Sequence, residues 1–545
     1  MQTRDLANQI RNPMSDLSEE VLPIYKEQLL NKVIPSEYSA MHKKRTFWIH
    51  DLEYYELAYN CIGLEASQLL DNSINYSFDR ALREIFRGII RLTNFQSGGI
   101  GFINFDMDLS KYIENETDEQ LVYFLNNFLI DLNCEVRKGC ELAYVTLNIG
   151  LDTTANGKRV SLCLLEAYKQ GDLYNQPFVF PNIVFKLKNK INIAKDDPNY
   201  DIFQKALQVT ACCMNPTYFN CDSTLNKKLN PAKIGIMGCR TLLGENLHGT
   251  EGAVNRGNIA SVTINLPQIA IESVNNNQSF YECLEKVFMI SKELLLHRLY
   301  TLSNKDSAVQ YIKKHNLYLN SSSEKALDIL KNGTLSIGFI GLWETVMILK
   351  NSSEIAFDTF SKEGNLIIRY MAELINKIKR ETQLNFSLLA TSAEGVSGKF
   401  ASNDLKTYLQ ANEIAEKGYY TNSFHIPVDL EISCFEKIRY EGGFHKYCSG
   451  GSITYVELSE HPQENTEALE DIILYATMND CNYIGINFPL DYCICCGSRG
   501  VFNECCPLCF GKIVSLRRVS GYLSVKTKFV EGKYLELLNR ASHIG

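Results

Sequence analysis

A cluster of cysteines near the C-terminus is the segment whose residue types and spacing point most directly to chemistry. Six of the 18 cysteines lie within residues 493–509. Four of them form two Cys-x-x-Cys pairs separated by nine residues, namely Cys493 with Cys496 and Cys506 with Cys509. Each pair offers two thiolates from one tight turn, and zinc prefers four thiolates in a tetrahedron. We therefore predict a structural zinc site, which has no open position for a substrate.

Two other interpretations of this cluster remain open. Four cysteines also suit an iron–sulfur cluster, and cysteines without a metal are often small buried hydrophobic residues. Cys495 and Cys505 lie beside predicted ligands, and either could replace its neighbour. In the metal-bound forms, the site would stabilise the base of the segment that follows it.

That following segment, Arg517-Arg-Val-Ser-Gly521-Tyr-Leu523, contains a single glycine near the C-terminus. A lone glycine is most often a turn residue that needs positive φ or a close backbone approach. Glycine also has a second chemical use. A radical at its Cα is delocalised onto the adjacent amide nitrogen and carbonyl, and the absent Cβ lets the centre become planar.

The cysteine pairs followed by this glycine segment resemble the anaerobic (class III) ribonucleotide reductases, a family of glycyl radical enzymes. Met237-Gly-Cys239-Arg-Thr241 resembles the finger loop of the same family, and the resemblance covers nearly the whole chain. It implies that Gly521 stores a radical and that Cys239 becomes the thiyl radical that removes the 3′-hydrogen of the ribose. By residue type alone, Cys239 would be a small buried hydrophobic residue.

Two further residues match active-site positions of the family. Asn258, in Asn255-Arg-Gly-Asn258, matches an asparagine that hydrogen-bonds the ribose hydroxyls. Cys61 matches a second active-site cysteine, present in the branch of the family that uses formate as reductant. Without the resemblance, Asn258 would be interpreted as a turn residue and Cys61 as a core cysteine.

A short loop matches the phosphate site of the family. Thr391, Ser392, Ala393 and Glu394 stand where the family usually has Thr-Pro-Ala-Glu, so Ser392 replaces a proline and could loosen the loop. Small residues ahead of a helix can offer backbone N–H groups to phosphate. The glycines of the segment 96–99 could also approach a phosphate or ribose closely, although Gly-Gly usually marks a turn.

Helices and strands that alternate along the chain must position these residues. Amphipathic helices are predicted at 16–33 and at about 279–302. Apolar runs at Ile259–Asn265 and Tyr483–Asn487 predict strands, so the chain is of the α/β class. The resemblance implies a ten-stranded α/β barrel made of two half-barrels.

We expect two domains from the resemblance and the change in composition. Residues 1–489 would form the catalytic barrel, with a finger loop near 239, and residues 490–545 a zinc-knuckle and glycyl-radical domain. The chain reaches the early family motif His50-Asp-Leu-Glu within its first 55 residues. We therefore expect no N-terminal ATP-cone and no on/off control by dATP.

Composition limits the partners. Fifty-five basic against 63 acidic residues give a net charge of −8, which argues against binding of a nucleic-acid polymer. The N-terminus lacks the apolar core of a signal peptide, and the most apolar stretch is too short to span a bilayer. We expect a soluble cytoplasmic protein without a membrane partner.

The function implied by the resemblance is anaerobic reduction of ribonucleoside triphosphates to 2′-deoxyribonucleoside triphosphates, with formate as the reductant. It also implies a separate radical-SAM activating enzyme, which uses S-adenosylmethionine and a 4Fe-4S cluster, together with ATP or dNTP effectors and a homodimer.

Two other functions remain open. A pyruvate formate-lyase-like glycyl radical enzyme is one, but those enzymes carry adjacent active-site cysteines, and Cys212-Cys213 lacks their context. They also lack Cys-x-x-Cys pairs ahead of the glycine. The other is a zinc-ribbon binding protein without catalytic activity.

Overall fold

The computed structural model describes residues 13–134, 142–462, 465–518 and 521–543. Val519 and Ser520 of the glycine segment lie outside these residues. In chain order the strands are β1 (Phe47–Ile49), β2 (Ile62–Leu64), β3 (Ile100–Phe102), β4 (Val145–Ile149), β5 (Asn182–Leu187), β6 (Thr217–Asn220), β7 (Ile236–Met237), β8 (Thr241–Leu242), β9 (Arg256–Asn265), β10 (Thr334–Ile340), β11 (Phe386–Ala390), β12 (Thr454–Glu457), β13 (Tyr483–Asn487), β14 (Leu490–Cys493), β15 (Arg499–Gly500), β16 (Ile513–Arg518) and β17 (Leu523–Val525).

The helices of the described residues separate and follow these strands. They are α1 (Pro13–Lys32), α2 (Ser36–Lys44), α3 (Phe78–Leu92), α4 (Phe105–Ser110), α5 (Asp118–Leu132), α6 (Ala155–Gln170), α7 (Tyr200–Cys213), α8 (Leu266–Asn275), α9 (Phe280–Ser303), α10 (Asp306–Lys314), α11 (Ala326–Leu330), α12 (Leu342–Lys350), α13 (Phe357–Thr382), α14 (Glu394–Thr407), α15 (Cys434–His445), α16 (Thr466–Met478) and α17 (Glu531–Leu538). Over the same residues, none of the helices combines the length and the apolar character that a membrane span requires.

The predicted elements agree with these bounds to within a few residues. The helix expected at 16–33 is α1, which begins three residues earlier, at Pro13. The helix expected at 279–302 is α9. The two predicted strands are β13 and the C-terminal part of β9. Local apolar periodicity was sufficient for α9, β9 and β13, which bury apolar side chains in the core. Helix α1 buries only Leu29 and Leu30 among its described side chains.

Ten strands form one hydrogen-bonded path in the order β11-β10-β9-β2-β3-β4-β5-β6-β13-β12, and β1 pairs with β9 beside it. Strands β2 to β6 are parallel to one another, as are β9 to β11 and β12 with β13. The joins of β2 with β9 and of β6 with β13 are antiparallel. The path therefore divides into two groups of parallel strands that run in opposite directions.

A short loop ahead of β12 connects the two ends of this path. The Gly450 N–H donates to the Leu388 carbonyl at 2.8 Å, and the Ala390 N–H donates to the Gly451 carbonyl at 3.0 Å. The described residues thus form a ten-stranded α/β barrel of two half-barrels, which confirms the predicted fold. Strands such as β5 and β10 are buried along their whole length, as expected for parallel strands covered by helices.

A smaller antiparallel sheet follows the barrel, in the order β15-β14-β16-β17. It begins at Leu490, and the predicted metal ligands lie at the end of β14 and in the loops between β14 and β16. The glycine segment connects β16 to β17. This sheet therefore carries both the cysteine pairs and the glycine.

Candidate active site

A two-stranded hairpin, β7 with β8, places Cys239 at a tip inside the barrel. The side chain of Asn148, on β4, holds one strand of the hairpin: its Nδ2 donates to the Ile236 carbonyl at 3.0 Å, and its Oδ1 accepts from the Ile236 N–H at 2.9 Å. The Thr146 hydroxyl donates to the Gly238 carbonyl at 3.0 Å. Polar side chains of the barrel wall thus replace the strand partners that the hairpin lacks.

The other side of the tip is anchored by Arg240. Its buried guanidinium donates to the Ala390 carbonyl of β11 at 3.1 Å and lies 5.9 Å from the centroid of the Tyr455 ring. Cys239 is therefore held between two anchored neighbours, with its own side chain half-buried.

The segment 96–99 allows the hairpin to come this close. A Cβ added at Gly99 would lie 2.7 Å from the Gly238 Cα, and one at Gly98 would lie 2.7 Å from the Cys61 Sγ. These two glycines thus allow the β7–β8 hairpin and Cys61 to pack closely against the segment 96–99. The sequence had suggested a close approach to a phosphate or ribose instead.

Gly521 lies directly against Cys239. A Cβ at Gly521 would lie 2.1 Å from the Cys239 Cβ and 2.6 Å from the Cys239 carbonyl oxygen. These are backbone and near-backbone atoms that cannot move aside, so only glycine fits. The Cα hydrogen in the side-chain position therefore points at Cys239. The chain therefore needs glycine at position 521 because another part of the backbone approaches closely, which is one of the two reasons that the sequence analysis gave for a lone glycine.

Arg518 and Tyr522 hold the glycine segment on either side. The buried Arg518 guanidinium donates from Nη1 to the Gly521 carbonyl at 3.3 Å and from Nε to the Asn487 Oδ1 at 2.7 Å. The Tyr522 ring packs against Tyr144, with centroids 5.5 Å apart, and its hydroxyl donates to the Glu394 carboxylate. The position of Gly521 is therefore determined by both the barrel and the small sheet.

The Cys239 thiol points toward the loop that follows β11. Its Sγ donates to the Ser392 Oγ at 3.5 Å, a normal distance for a sulfur donor. Burial raises the pKa of this thiol above its ordinary value. The sulfur therefore keeps its hydrogen at neutral pH, which hydrogen-atom transfer requires.

Cys61 lies on the other side of the hairpin tip. Its Sγ donates to the Asn60 Oδ1 at 2.8 Å and accepts from the Gly99 N–H at 3.2 Å. A Cβ at Gly238 would lie 3.8 Å from this sulfur. Burial raises the pKa of Cys61 to about 12, so this residue is also a thiol. The structure thus brings Gly521, Cys239 and Cys61 together.

Asn258 lies inside β9, not in a turn. Its Nδ2 donates to the Ser336 Oγ at 2.6 Å and to the Thr334 Oγ1 at 3.1 Å, both on β10. Its carbonyl accepts from the N–H of Asn60, the neighbour of Cys61, at 3.1 Å. Asn258 therefore belongs to the same part of the barrel as Cys61.

The loop 391–394 connects β11 to the N-terminus of α14. Ala393 has φ +59° and Glu394 has φ +32°, so two non-glycine residues take left-handed conformations. The Glu394 N–H donates to the Ser392 carbonyl at 2.7 Å, and the hydroxyls of Thr391 and Thr263 are 2.9 Å apart. Serine in place of proline thus stands in a constrained loop, with its hydroxyl against Cys239.

The four predicted metal ligands form one group, in which all sulfurs lie within 4.8 Å of one another. The Cys493 and Cys509 sulfurs are 3.4 Å apart, and those of Cys496 and Cys506 are 3.6 Å apart. Tetrahedral zinc with bonds of about 2.3 Å separates its sulfurs by about 3.8 Å. The group therefore fits a metal ion. Neither Cys495 nor Cys505 belongs to it in the described part of the chain.

Comparison with known families matches residues 6–543 to the family described as anaerobic ribonucleoside-triphosphate reductase. The chain belongs to this family. Membership confirms the predicted oxidoreductase activity, the anaerobic reduction of ribonucleoside triphosphates, over a pyruvate formate-lyase-like enzyme and over a non-catalytic zinc-ribbon protein. It also makes this chain a member of a glycyl-radical family, which is the chemistry that the Gly521 segment suggested.

Curated relatives carry the same description. The chain is 29% identical to the anaerobic ribonucleoside-triphosphate reductase of Haemophilus influenzae, in an alignment that covers 96% of this chain and 80% of the relative. It is 29% identical to that of Escherichia coli, over 80% of this chain and 64% of the relative. It is 26% identical to that of Enterobacteria phage T4, over 95% of this chain and 93% of the relative.

Solved structures agree on the fold. An anaerobic ribonucleotide reductase superposes with a TM-score of 0.76 at 16% identity, covering 98% of this chain and 90% of that chain. The Thermotoga maritima enzyme in complex with dATP and CTP superposes with a TM-score of 0.73 at 16% identity, covering 95% and 91%.

Three contacts of the site could not be read from the sequence. Arg518 was visible only as part of the arginine pair ahead of the glycine, and Asn148 lies in a strand without a motif. The bond between Tyr522 and Glu394 joins residues 128 positions apart. The arginine pair ahead of Gly521 is the one sequence signal that could have pointed to Arg518. Its burial, which is rare for an arginine without a partner to hold, became visible only in the structure.

Proposed function

We propose that this chain reduces ribonucleoside triphosphates in the cytoplasm with a radical that is stored on Gly521 and used at Cys239. The observation that carries the proposal is the contact between these two residues, since the side-chain position of Gly521 is occupied by Cys239. Gly521 and Cys239 are more than 280 positions apart in the sequence. Their contact leaves no room for a side chain at position 521.

The first step is a hydrogen-atom transfer. The Gly521 Cα radical takes the hydrogen of the Cys239 thiol, so that one S–H bond breaks, one C–H bond forms and the unpaired electron moves to sulfur. The step requires a thiol rather than a thiolate, and burial of Cys239 favours the thiol. The two bonds have similar strengths, so the transfer is nearly balanced in energy.

The next steps involve the ribose. The Cys239 thiyl radical removes the 3′-hydrogen, with Asn258 hydrogen-bonded to the ribose hydroxyls, and the 2′-hydroxyl leaves as water. Formate, together with Cys61, reduces the intermediate: formate gives two electrons and leaves as carbon dioxide, and one proton completes the balance. The 3′-hydrogen then returns from Cys239. The barrel keeps these radical intermediates away from bulk water.

The loop Thr391, Ser392, Ala393 and Glu394 would bind the phosphates of the substrate. It lies at the start of α14, where backbone N–H groups and the helix dipole favour an anion. The Thermotoga maritima relative in complex with dATP and CTP supports both a nucleotide substrate and nucleotide effectors for this chain.

We propose two domains, a catalytic barrel at 1–489 and a zinc-knuckle and glycyl-radical domain at 490–545. Cys493, Cys496, Cys506 and Cys509 would hold one structural zinc ion, which supplies no chemistry and fixes the loops between β14 and β16. Because β16 leads into the glycine segment, an ordered cysteine group supports the position of Gly521.

Activation requires a partner. A separate radical-SAM enzyme, with S-adenosylmethionine and a 4Fe-4S cluster, would remove one Cα hydrogen from Gly521. A homodimer is the expected assembly, since most soluble oligomers are symmetric homo-oligomers.

Anaerobic CTP reduction tests the proposal. Activated wild-type protein is incubated with CTP, ATP and formate, with Gly521→Ala as control, and the radical is measured by EPR in the same tube. We expect a glycyl radical and dCTP from the wild type and neither from the variant. The wild type could form the radical and yet make dCTP only when a dithiol replaces formate. That result would refute formate as the reductant and leave the radical chemistry intact.

A further inference from the structure

The phosphate loop, Thr391 to Glu394, is hydrogen-bonded to Cys239 and to Tyr522, the neighbour of Gly521. The Ser392 hydroxyl accepts from the Cys239 thiol at 3.5 Å. Two residues later, the Glu394 carboxylate accepts the hydroxyl hydrogen of Tyr522, the residue that follows Gly521. One loop of four residues is thus bonded to the hairpin that carries the thiol and to the segment that carries the glycine.

The direction of the thiol hydrogen is the important feature. A thiol has one hydrogen, and a hydrogen that is donated to Ser392 is not directed at the Gly521 Cα. Cys239 and Ser392 are both half-buried, whereas Thr391, Ala393 and Glu394 are buried. The bond between Cys239 and Ser392 therefore lies where the loop is accessible to a ligand, and a ligand can break it.

We propose that Ser392 is a positioning residue that holds the Cys239 hydrogen away from Gly521 until the substrate phosphates engage the loop. The inference rests on the proposed roles of Gly521, Cys239 and the phosphate loop. Without substrate, the thiol stays bonded to Ser392 and the radical stays on glycine. A phosphate that accepts from the Ser392 hydroxyl and draws it away from the Cys239 sulfur frees the thiol to rotate toward Gly521.

The role proposed for Ser392 is specific to this chain, because the loop departs from the family pattern at this position. A proline, which the family usually has at the position of Ser392, offers no hydroxyl. The Tyr522–Glu394 bond fixes the glycine segment to the same loop, so that movement of the loop changes both ends of the transfer together. The contacts connect substrate binding to radical transfer without a second site.

Premature transfer has a measurable consequence. If the Gly521 radical takes the Cys239 hydrogen without substrate, an external dithiol can give its own hydrogen to the thiyl sulfur. One S–H bond of the dithiol breaks, the Cys239 thiol re-forms, and the unpaired electron leaves the protein on the dithiol. The EPR signal of the activated protein therefore decays at a rate that reports this leak.

The experiment compares that decay in wild type, Ser392→Ala, Ser392→Pro and Ser392→Thr, under argon with dithiothreitol and without substrate. We expect equal initial radical yields. The half-life should be shortened about fivefold in Ala and Pro, the factor that one neutral hydrogen bond represents. Thr, which retains a hydroxyl, should decay like wild type. Added CTP should remove the difference between the variants.

Second variants separate the possible causes. Cys239→Ala combined with Ser392→Ala should restore the long half-life, because the leak passes through the thiol. Equal half-lives in wild type and Ser392→Ala would overturn the inference, as would a Pro variant that behaves like wild type. Failure of the proposed function is a different result: Cys239→Ala alone would then still form dCTP.

Discussion

The cysteines inside the barrel and those of the small sheet differ in what surrounds the sulfur. Cys61 is buried and Cys239 is half-buried, each donates its hydrogen to a single oxygen, and burial raises the pKa of both thiols. The four cysteines of the group 493–509 converge on one point, and two of them, Cys496 and Cys509, are exposed.

The difference shows how one side chain serves two chemistries. Hydrogen-atom transfer needs an S–H bond, which an apolar enclosure preserves by disfavouring the thiolate. Metal binding needs thiolates, which four adjacent sulfurs provide when a cation compensates their charge. Neither Cys61 nor Cys239 belongs to a group of potential metal ligands among the described residues.

Replacement of the thiol in the barrel should have the largest effect. We expect Cys239→Ser to abolish dCTP formation while the glycyl radical forms at wild-type yield, since an O–H bond is too strong for a glycyl radical to break. The radical is counted by EPR and the product by chromatography. The control is Cys212→Ser, a half-buried cysteine on α7, which should retain activity. Product from the Cys239 variant would contradict the assigned role.

Removal of a sulfur from the small sheet should have the next largest effect. The Cys506→Ser variant should lose the metal. Because β16 then loses its support, we expect the radical yield to fall by a factor on the order of ten or more. Elemental analysis measures the metal and also distinguishes zinc from iron. Cys505→Ser, its exposed neighbour, should keep both metal and radical. Full radical yield in a metal-free Cys506 variant would refute the supporting role.

The residue that joins the two regions should have an intermediate effect. Arg518→Lys retains the charge but cannot reach the Gly521 carbonyl and Asn487 together, so a buried charge-assisted hydrogen bond worth about 2 kcal/mol is lost. We expect a lower radical yield and a lower melting temperature. The matched control is Arg517→Lys, next to it on β16, which contacts Asp491 at 3.0 Å. Equal yields in the two variants would show that the carbonyl contact is unimportant.

The smallest effect concerns pH. Because burial raises the pKa of Cys61 to about 12, Cys61 at pH 9 should react with iodoacetamide much more slowly than the exposed Cys134. Peptide mass spectrometry measures the modification, with exposed Cys134 as the comparison. The same shift lowers the free energy of unfolding as pH rises from 9 toward 12, because the unfolded thiol releases its proton first. Modification of Cys61 at the Cys134 rate would contradict its enclosure.

Local patterns were sufficient for part of this molecule. The Cys-x-x-Cys pairs predict their own geometry because a tight turn brings each pair of sulfurs together. The α/β class followed from apolar periodicity, and helix α9 was predicted within one residue of its bounds. The expected roles of Cys239, Cys61 and Asn258 came from resemblance, since a single cysteine or asparagine in an apolar run has no local signature of its role.

The sequence by itself determined the kinds of chemistry available: thiolates in pairs, one glycine in a motif, and a loop of small residues. Only the tertiary structure decided which residues act together. It brought Gly521 against Cys239 and packed Cys61 against Gly98 and Gly99. It also placed the Ser392 hydroxyl within hydrogen-bond distance of the Cys239 thiol. The physical reason is that these contacts join distant segments through barrel closure, and their distances depend on the packing of the whole wall.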